Sequence, residues 1–265
     1  MYILKMLKVI FFIGIFLYLS PVRAEHQLQE PVLQEPVVAS CSERTYAYMH
    51  NNAIHGISYE VVKAVFERAN VPFQYRILPW ARIYHYGLHK ENFLVACLGK
   101  TPEREGHFQW VGAVNNKLDI NFYGLASNPV KINSLEEMKK YTIGVLRGSY
   151  YEDFLTRNHF PSKSIYAVSS TEQVLLMLNG HRFDFFLLEE STMSIIANSL
   201  KISPDKYKKA LFAFHAEDYL AFSQQTSPEL VKRVRKAYQE LAAEGKIQEI
   251  FAQEDLLKGE HSSVQ

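Results

Sequence analysis

The sequence predicts an α/β fold built from two similar units in series, and three observations support that prediction. Short apolar runs alternate with amphipathic helices, which is typical of a sheet covered by helices. Phe93 to Leu98 is apolar at every position, as expected for a strand buried on both faces of a parallel sheet. After a strand over Leu118 to Leu125, the same alternation begins again.

The first unit is predicted element by element from its apolar patterns. Val37 to Cys41 is a short apolar strand, and Ser58 is placed to cap the helix that follows. The apolar face of that helix consists of Val61, Val62, Val65, Phe66 and Ala69. A strand over Phe73 to Ile77, a helix opened by Pro79 and the strand from Phe93 complete the unit.

The second unit repeats the pattern. Its predicted elements are a strand over Thr142 to Leu146, a helix from Tyr150, a strand over Ile165 to Val168, a helix over Thr171 to Leu178 and a strand over Phe183 to Leu188. A strand over Tyr219 to Ser223 and two helices, one from Pro228 and one over Lys246 to Ala252, end the chain. Because ligands of open α/β sheets bind beyond the carboxyl ends of the strands, a cleft between the two units is the expected site.

The N-terminus predicts export. Lys5 and Lys8 precede the eleven-residue apolar run Val9 to Leu19, and Val22-Arg23-Ala24 offers the small residues that a signal peptidase reads. We therefore predict a cleaved signal peptide over 1–24. The alternative, an uncleaved anchor, is disfavoured because a membrane span needs roughly 20 apolar residues. Residues 25–36, with the repeat LQEPVLQEPV, predict an exposed flexible linker.

Charge and motif spacing argue against two classes of partner. The formal net charge is +1 over 265 residues without a basic block, so a nucleic-acid partner has no electrostatic support. Gly99-Lys100-Thr101 resembles the end of a phosphate-binding loop, but Leu94 stands where that loop needs glycine and Pro102 has no amide hydrogen. His85 and His89 share a helix face without an evident third ligand. We expect no nucleotide, cofactor or metal.

Five stretches, in order, resemble the polar amino-acid type of periplasmic solute-binding proteins, the receptor components of ABC importers. They are TYAYM with GISYEVV, KTPEREGHFQW, NSLEEMKKYTIGVLRGSYYEDFL, STEQVLLMLNGHRFDFFLLEE and SPELVKRVRKAYQELAAEGKIQEIF. They are similar to the family's first strand-loop-helix, its Thr-x-x-Arg loop, its entry to the second lobe, its turn before a buried strand, and its C-terminal helices. The resemblance covers nearly the whole chain after Val37.

This resemblance implies the type 2 periplasmic-binding-protein fold, with two lobes of mostly parallel sheet joined by two hinge strands. Lobe 1 would comprise 37–122 and 219–265, and lobe 2 would comprise 123–218, with hinges near Phe122-Tyr123 and Ala216 to Tyr219. The implied function is a monomeric periplasmic receptor that closes on a small polar solute. That solute would be an amino acid or amino-acid-like carboxylate, delivered to an ABC importer permease in the inner membrane.

The resemblance assigns Arg104 to the ligand carboxylate. A planar guanidinium makes bidentate, charge-assisted hydrogen bonds with such a group. Thr101 would add a hydroxyl or an amide, and Gly99 begins the same cleft-facing loop. The alternative for Arg104 is a surface salt bridge with Glu103 or Glu105.

The remaining predicted site residues come from both lobes. Glu189 stands where the family has an acid, usually aspartate, that takes the ligand's α-amino group; alternatively, it complements a helix dipole. Ser149 and Tyr150 begin a helix whose amides can bind an anion, although Ser149 can equally be a simple N-cap. Tyr46 would stack on the ligand and Trp80 would face the same cleft, with ordinary packing as the alternative for each.

Two further features leave alternatives open. Cys41 and Cys97 end strands expected to be neighbours, so they form either a disulfide or two buried thiols. Amino-acid receptors of the family commonly have small hydroxyl residues at the positions of Ala96, Cys97 and Gly99. That departure leaves a related carboxylate or a different polar solute open as the ligand.

Two other functions fit the same resemblance. A few relatives of this fold resemble cyclohexadienyl dehydratases, and such an enzyme needs an acid or base in the cleft, a part that Glu189 could take. Turnover of prephenate-like substrates would identify it. The chain could instead be a ligand-sensing module that passes its signal to a separate sensor protein.

Overall fold

The structure is a computed structural model that describes residues 35–42 and 46–253. The signal peptide predicted over 1–24 and the linker residues 25–34 lie outside the described residues. Glu35 and Pro36, at the end of the predicted linker, are exposed and have no regular secondary structure. No helix in the described part of the chain is both long and apolar enough to cross a membrane.

Strands and helices alternate along most of the chain. The strands are β1 (Val37–Cys41), β2 (Tyr48–His50), β3 (Ala53–His55), β4 (Phe73–Ile77), β5 (Phe93–Gly99), β6 (Phe108–Ala113), β7 (Leu118–Leu125), β8 (Ile143–Leu146), β9 (Ile165–Val168), β10 (Phe185–Glu189), β11 (Tyr207–Ala216) and β12 (Asp218–Ser223). The helices are α1 (Ile57–Ala69), α2 (Trp80–His89), α3 (Leu135–Met138), α4 (Tyr150–Arg157), α5 (Thr171–Asn179), α6 (Glu190–Ser199), α7 (Pro228–Ala243) and α8 over 246–253.

Two five-stranded sheets define two lobes. The first sheet has the order β4-β1-β5-β12-β6, and the second has the order β11-β7-β10-β8-β9. In the first, β1 is parallel to β4 and β5, whereas β12 is antiparallel to β5 and β6. In the second, β8 is parallel to β9 and β10, whereas β7 is antiparallel to β10 and β11. The predicted α/β class is confirmed.

Helix α1 corrects one local prediction and has a clear physical origin. It begins at Ile57 after Gly56, whose φ of 112° favours glycine, so the cap predicted at Ser58 is wrong. Ser58 lies in the first turn, where its hydroxyl donates to the Tyr46 carbonyl at 2.9 Å. The helix ends at Ala69, and the next residue, Asn70, adopts the left-handed conformation common at helix C-termini.

Each lobe has its own apolar core. Helices α1 and α7 cover one face of the first sheet, and helices α3 to α6 pack with the second sheet. A third cluster in the first lobe contains Trp80, Ile83 and Phe108, and Leu146 of the second lobe packs against it. The two lobes are therefore in apolar contact beside the ends of β5 and β8.

The chain crosses between the sheets twice, at neighbouring points. The first crossing joins Ala113, the end of β6, to Leu118, and the second passes through Glu217. The boundary predicted after Phe122 falls inside β7, which pairs with β11 over its whole length, so the sheet division lies before Leu118. The amide of Val114 donates to the Asp218 carbonyl at 2.8 Å and ties the two crossings together.

Cys41 and Cys97 form a disulfide in this structure. The bond joins the carboxyl ends of the adjacent parallel strands β1 and β5, with the Cα atoms 5.6 Å apart. Of the two alternatives left open by the sequence, the structure contains the bonded one. The bond closes a segment that includes α1, β4 and α2, so it restrains a large part of the first lobe in the unfolded chain.

We expect the double variant Cys41→Ser/Cys97→Ser to lower the free energy of unfolding by about 2–4 kcal/mol, because the loop between the cysteines is then unrestrained in the unfolded state. Urea unfolding of the wild-type protein and the variant, with and without reductant, measures this. Reductant should destabilise the wild-type protein and leave the variant unchanged. Equal stability of the oxidised wild-type protein and the variant would contradict the expectation.

Candidate functional site

A cavity of about 80 Å³ lies between the two lobes. The first lobe contributes Tyr46, Trp80 and Asp218, and the second contributes Ser149, Tyr150 and Thr192, together with further residues of both lobes. Four of the eight predicted site residues therefore line the cavity. The other four, Gly99, Thr101, Arg104 and Glu189, lie outside its wall.

Asp218 is the acidic residue of this cavity, and sequence reasoning did not identify it. It is 1% exposed, and its Oδ2 accepts hydrogen bonds from the Tyr46 hydroxyl at 2.5 Å and the Asn115 amide at 3.0 Å. The Asn115 side-chain oxygen in turn accepts from the Asp218 amide at 3.1 Å. Asn115 lies in the first crossing and Asp218 directly follows the second as the first residue of β12, so this acid lies beside the connection between the lobes.

Burial makes the Asp218 carboxyl harder to ionise. It raises the pKa of the carboxyl from 3.8 to about 6, while the hydrogen bonds from Tyr46 and Asn115 and the charge of Arg104 act in the opposite direction. The carboxylate is therefore mostly ionised at neutral pH. Within the described residues, no lysine, arginine or histidine forms a salt bridge with it. A buried charge without a paired ion is unfavourable, and a cationic ligand would relieve that cost.

Arg104 lies deep at the lobe interface and is already engaged. Its Nη2 donates to the Gly148 carbonyl at 2.9 Å and lies 2.9 Å from Oδ2 of Asp153, both in the second lobe. Its Nη1 is 3.4 Å from the Gly99 carbonyl. The rings of Trp80 and Tyr84 lie 5.8 and 5.1 Å from the guanidinium carbon. In this conformation a protein carboxylate holds the group predicted to clamp a ligand.

Asp153 is held against Arg104 in an acidic environment. Burial raises its pKa, the charge of Arg104 lowers it, and the charges of Glu103 and Glu152 raise it further. The burial effect is the larger, so Asp153 has a pKa above its ordinary value despite the ion pair. A second ion pair across the lobes joins Arg157 to Glu103 at 2.8 and 2.9 Å.

Gly99 and Gly148 allow the lobes to approach closely. A Cβ atom on Gly99 would lie 2.0 Å from the Tyr150 ring, so only glycine permits this contact. Gly148 has a φ of +68°, and its carbonyl accepts from both Arg104 and the Trp80 indole, the latter at 3.1 Å. Thr101 is buried in the loop, where its carbonyl accepts from the Arg104 amide at 3.0 Å.

Ser149, directly before the helix that begins at Tyr150, lines the cavity. The Ser149 hydroxyl is buried and has no hydrogen-bond partner among the described residues, although Ser149 is the N-cap position. Glu152 accepts instead from the Gly148 amide at 2.6 Å. Burial raises the pKa values of Tyr46, Tyr150 and Tyr151, so these phenols remain neutral at physiological pH.

Glu189 caps helix α6. Its carboxylate accepts from the amides of Ser191 and Thr192, both at 2.8 Å, and from the Ser191 hydroxyl at 2.6 Å. This is the helix-terminal arrangement weighed as the alternative in the sequence. The capped turn positions Thr192 in the cavity wall.

The structure gives no geometry for a metal site within the described residues. No group of three or more histidine, cysteine or acidic residues there is arranged to hold an ion. The rings of His85 and His89 are 4.9 Å apart on an exposed face of α2. The described cavity wall offers hydroxyls, aromatic rings and one carboxylate, which suit a small polar solute.

Comparisons with known proteins agree with this architecture. A histidine kinase sensor domain with similarity to periplasmic binding proteins superposes with a TM-score of 0.72 at 14% identity, covering 83% of this chain and 95% of that chain. The arginine-, lysine-, histidine-binding protein ArtJ of Geobacillus stearothermophilus gives a TM-score of 0.67 at 18% identity, with coverages of 82% and 94%.

A third structure gives the same result. The amino acid ABC transporter substrate-binding protein AbpA of Streptococcus pneumoniae, bound to L-arginine, gives a TM-score of 0.67 at 17% identity, with coverages of 84% and 95%. These likenesses establish the two-lobe fold. A comparison with curated proteins found no match. Residues 37–253 match the family model described as bacterial extracellular solute-binding proteins, family 3, and the chain belongs to that family.

Proposed function

We propose that the chain is an exported receptor that binds a small polar solute with an amino group, such as an amino acid, and delivers it to an ABC importer of the inner membrane. The observation that carries this proposal is the cavity shared by both lobes, which contains a buried carboxylate without a described cationic partner. An ammonium group bound there would form an ion pair with Asp218, beside the two crossings of the chain. The periplasm is the compartment in which a monomeric receptor of this kind would work.

Solute binding and lobe closure are physically linked in this account. Tyr46 and Asp218 come from the first lobe, and Ser149 and Thr192 from the second, so a solute that contacts all four favours the closed arrangement. The direct contacts of Trp80 and Arg104 with Gly148 already stabilise that arrangement. The solute contacts both lobes only in the closed form, so its binding stabilises the closed form relative to the open one.

Prephenate turnover is the measurement that separates binding from catalysis in this cavity. A dehydratase needs groups poised to transfer protons at neutral pH. Among the described residues of the cavity wall, Asp218 has a pKa near that range, whereas burial keeps the lining tyrosines protonated. Absence of prephenate turnover by the exported protein is expected.

A sensory role is the second candidate, because a histidine kinase sensor domain shares this fold. Both roles use the same cleft and differ in the partner that recognises the closed form. Cross-linking of the tagged protein in intact cells separates them. Capture of permease subunits supports transport, and capture of a sensor kinase without permease supports sensing.

A matching solute should stabilise the folded protein. Co-purified solute is first removed by unfolding and refolding. A matching amino-bearing solute at 100 times its Kd should then add about 2.7 kcal/mol to the free energy of unfolding. Asp218→Asn should abolish most of that gain because the ammonium loses its counter-charge. Asp205→Asn, at an exposed aspartate of the second lobe, is the matched control and should keep it. Thermal unfolding measures each case; stabilisation by neutral sugars alone would contradict the proposal.

The stability of the solute-free protein should depend on pH through Asp218. Asp218 faces Tyr46, Tyr150 and Tyr151, with Arg104 at longer range. Its pKa is about 6 in the folded chain against 3.8 for an unperturbed carboxyl, so the solute-free protein should lose stability as pH rises from about 4 to about 6. The loss should reach about 3 kcal/mol and persist above pH 6.

Asp218→Asn should remove this part of the pH profile and be more stable than the wild-type protein at pH 7. Urea unfolding between pH 4 and pH 8 measures the difference, with Asp205→Asn as the control that retains the wild-type profile. Parallel profiles for the wild-type protein and Asp218→Asn would show that burial does not shift this carboxyl.

A further inference from the structure

We propose that the preferred solute is a small amine without an α-carboxylate, whose ammonium group binds Asp218 while Asp153 occupies Arg104. This inference rests on the function proposed above and narrows its ligand class. It follows from which charges are already paired at the lobe interface and which remain.

The first step is that both terminal nitrogens of Arg104 are engaged within the protein, whereas its buried Nε has no hydrogen-bond partner among the described residues. Nη2 is shared between the Gly148 carbonyl and Asp153, and Nη1 is directed to the Gly99 carbonyl. A solute carboxylate would have to displace Asp153, a carboxylate attached to the second lobe. The protein therefore supplies internally the anion that an amino acid would bring.

The second step is that Arg104 and the cavity are separate. The side chain of Arg104 is 1% exposed and is absent from the cavity wall. Trp80 lines the cavity, lies over the guanidinium and donates to Gly148. The Tyr150 ring lies directly against Gly99. A solute in the cavity reaches Arg104 only if these contacts between the lobes break.

The third step is the sign of the charge within the cavity. Among the described residues of its wall, Asp218 is the charged one at neutral pH. Ser149, Thr171 and Thr192 also line the cavity, and a hydroxyl can accept a hydrogen bond from an ammonium group. An ammonium group is attracted to this set, whereas a carboxylate near Asp218 meets a like charge at short range. The aromatic rings of the wall add faces that favour a cation.

The fourth step is size. The cavity of about 80 Å³ is roughly half the 150 Å³ at which an apolar cavity accepts benzene. An ammonium group with a short carbon chain fits that space in the closed form. An α-amino acid of the same chain length adds a second charged group, for which the cavity wall offers no described cation.

The test compares each amino acid with its own decarboxylated amine, using the exported wild-type protein after removal of co-purified solute. The pairs are glycine and methylamine, alanine and ethylamine, serine and ethanolamine, and arginine and agmatine. We expect at least one amine to shift the thermal transition and to bind at least tenfold more tightly than its amino acid by calorimetry. An amino acid that binds more tightly than its amine overturns the inference and leaves the receptor function standing. No response to any member of any pair overturns both.

Two variants examine the part of Asp153. Asp153→Asn frees Arg104 from its ion pair. The variant should therefore bind the amino acid of the best pair at least tenfold more tightly and keep its affinity for the amine. Glu103→Gln removes the other ion pair between the lobes, the one with Arg157, and should leave the preference unchanged. Unchanged selectivity in a folded Asp153→Asn protein would contradict the assigned role. The wild-type comparison stands by itself if that variant fails to fold.

Discussion

The buried guanidinium of Arg104 is the charge around which the lobe interface is organised. A cation that is 1% exposed requires partners, and the structure provides the Asp153 carboxylate of α4 and the carbonyls of Gly99, at the end of β5, and Gly148, in the turn after β8. These partners determine how closely the lobes approach. They bring Trp80 onto the Gly148 carbonyl and the Tyr150 ring onto Gly99, where a larger residue would collide.

Because Arg104 is paired within the protein and lies outside the cavity wall, the described wall carries the negative charge of Asp218 and no positive charge. Asp218 is buried, hydrogen-bonded and without a described ion-pair partner, so the solute becomes the natural source of positive charge. Under the proposed function, its position would also couple binding to closure. Asn115 lies in the first segment that crosses between the sheets, Asp218 directly follows the second, and each donates a hydrogen bond to the other. A solute that binds there contacts the hinge itself.

The sequence predicted the fold well because its buried strands are continuous apolar runs. Phe93–Gly99 is buried at every position and lies at the centre of the first sheet. The pattern did not reveal β6 and β11, each at one edge of a sheet, or the three-residue strands β2 and β3. Strand β11 alternates weakly and is largely half-exposed. Such strands depend on pairing with a neighbour, which local periodicity does not encode.

The site was predictable only in part, for a related reason. Tyr46, Trp80, Ser149 and Tyr150 follow from the family resemblance and line the cavity. The carboxylate partners depend on long-range approach: Asp218 meets Asn115 from 103 positions away, and Asp153 meets Arg104 from the other lobe. The sequence left Glu189 either as a ligand-binding acid or as a helix-terminal acid. In the structure, the turn between β10 and α6 directs its oxygens to the helix amides.

The most direct measurement is a crystal structure of the exported protein with the tightest-binding of these amines or amino acids in the cleft. The account predicts the solute nitrogen within about 3 Å of the Asp218 carboxylate, in hydrogen-bond range. It also predicts that Arg104 remains paired with Asp153. A solute carboxylate bound to Arg104, with Asp153 displaced, would contradict the account.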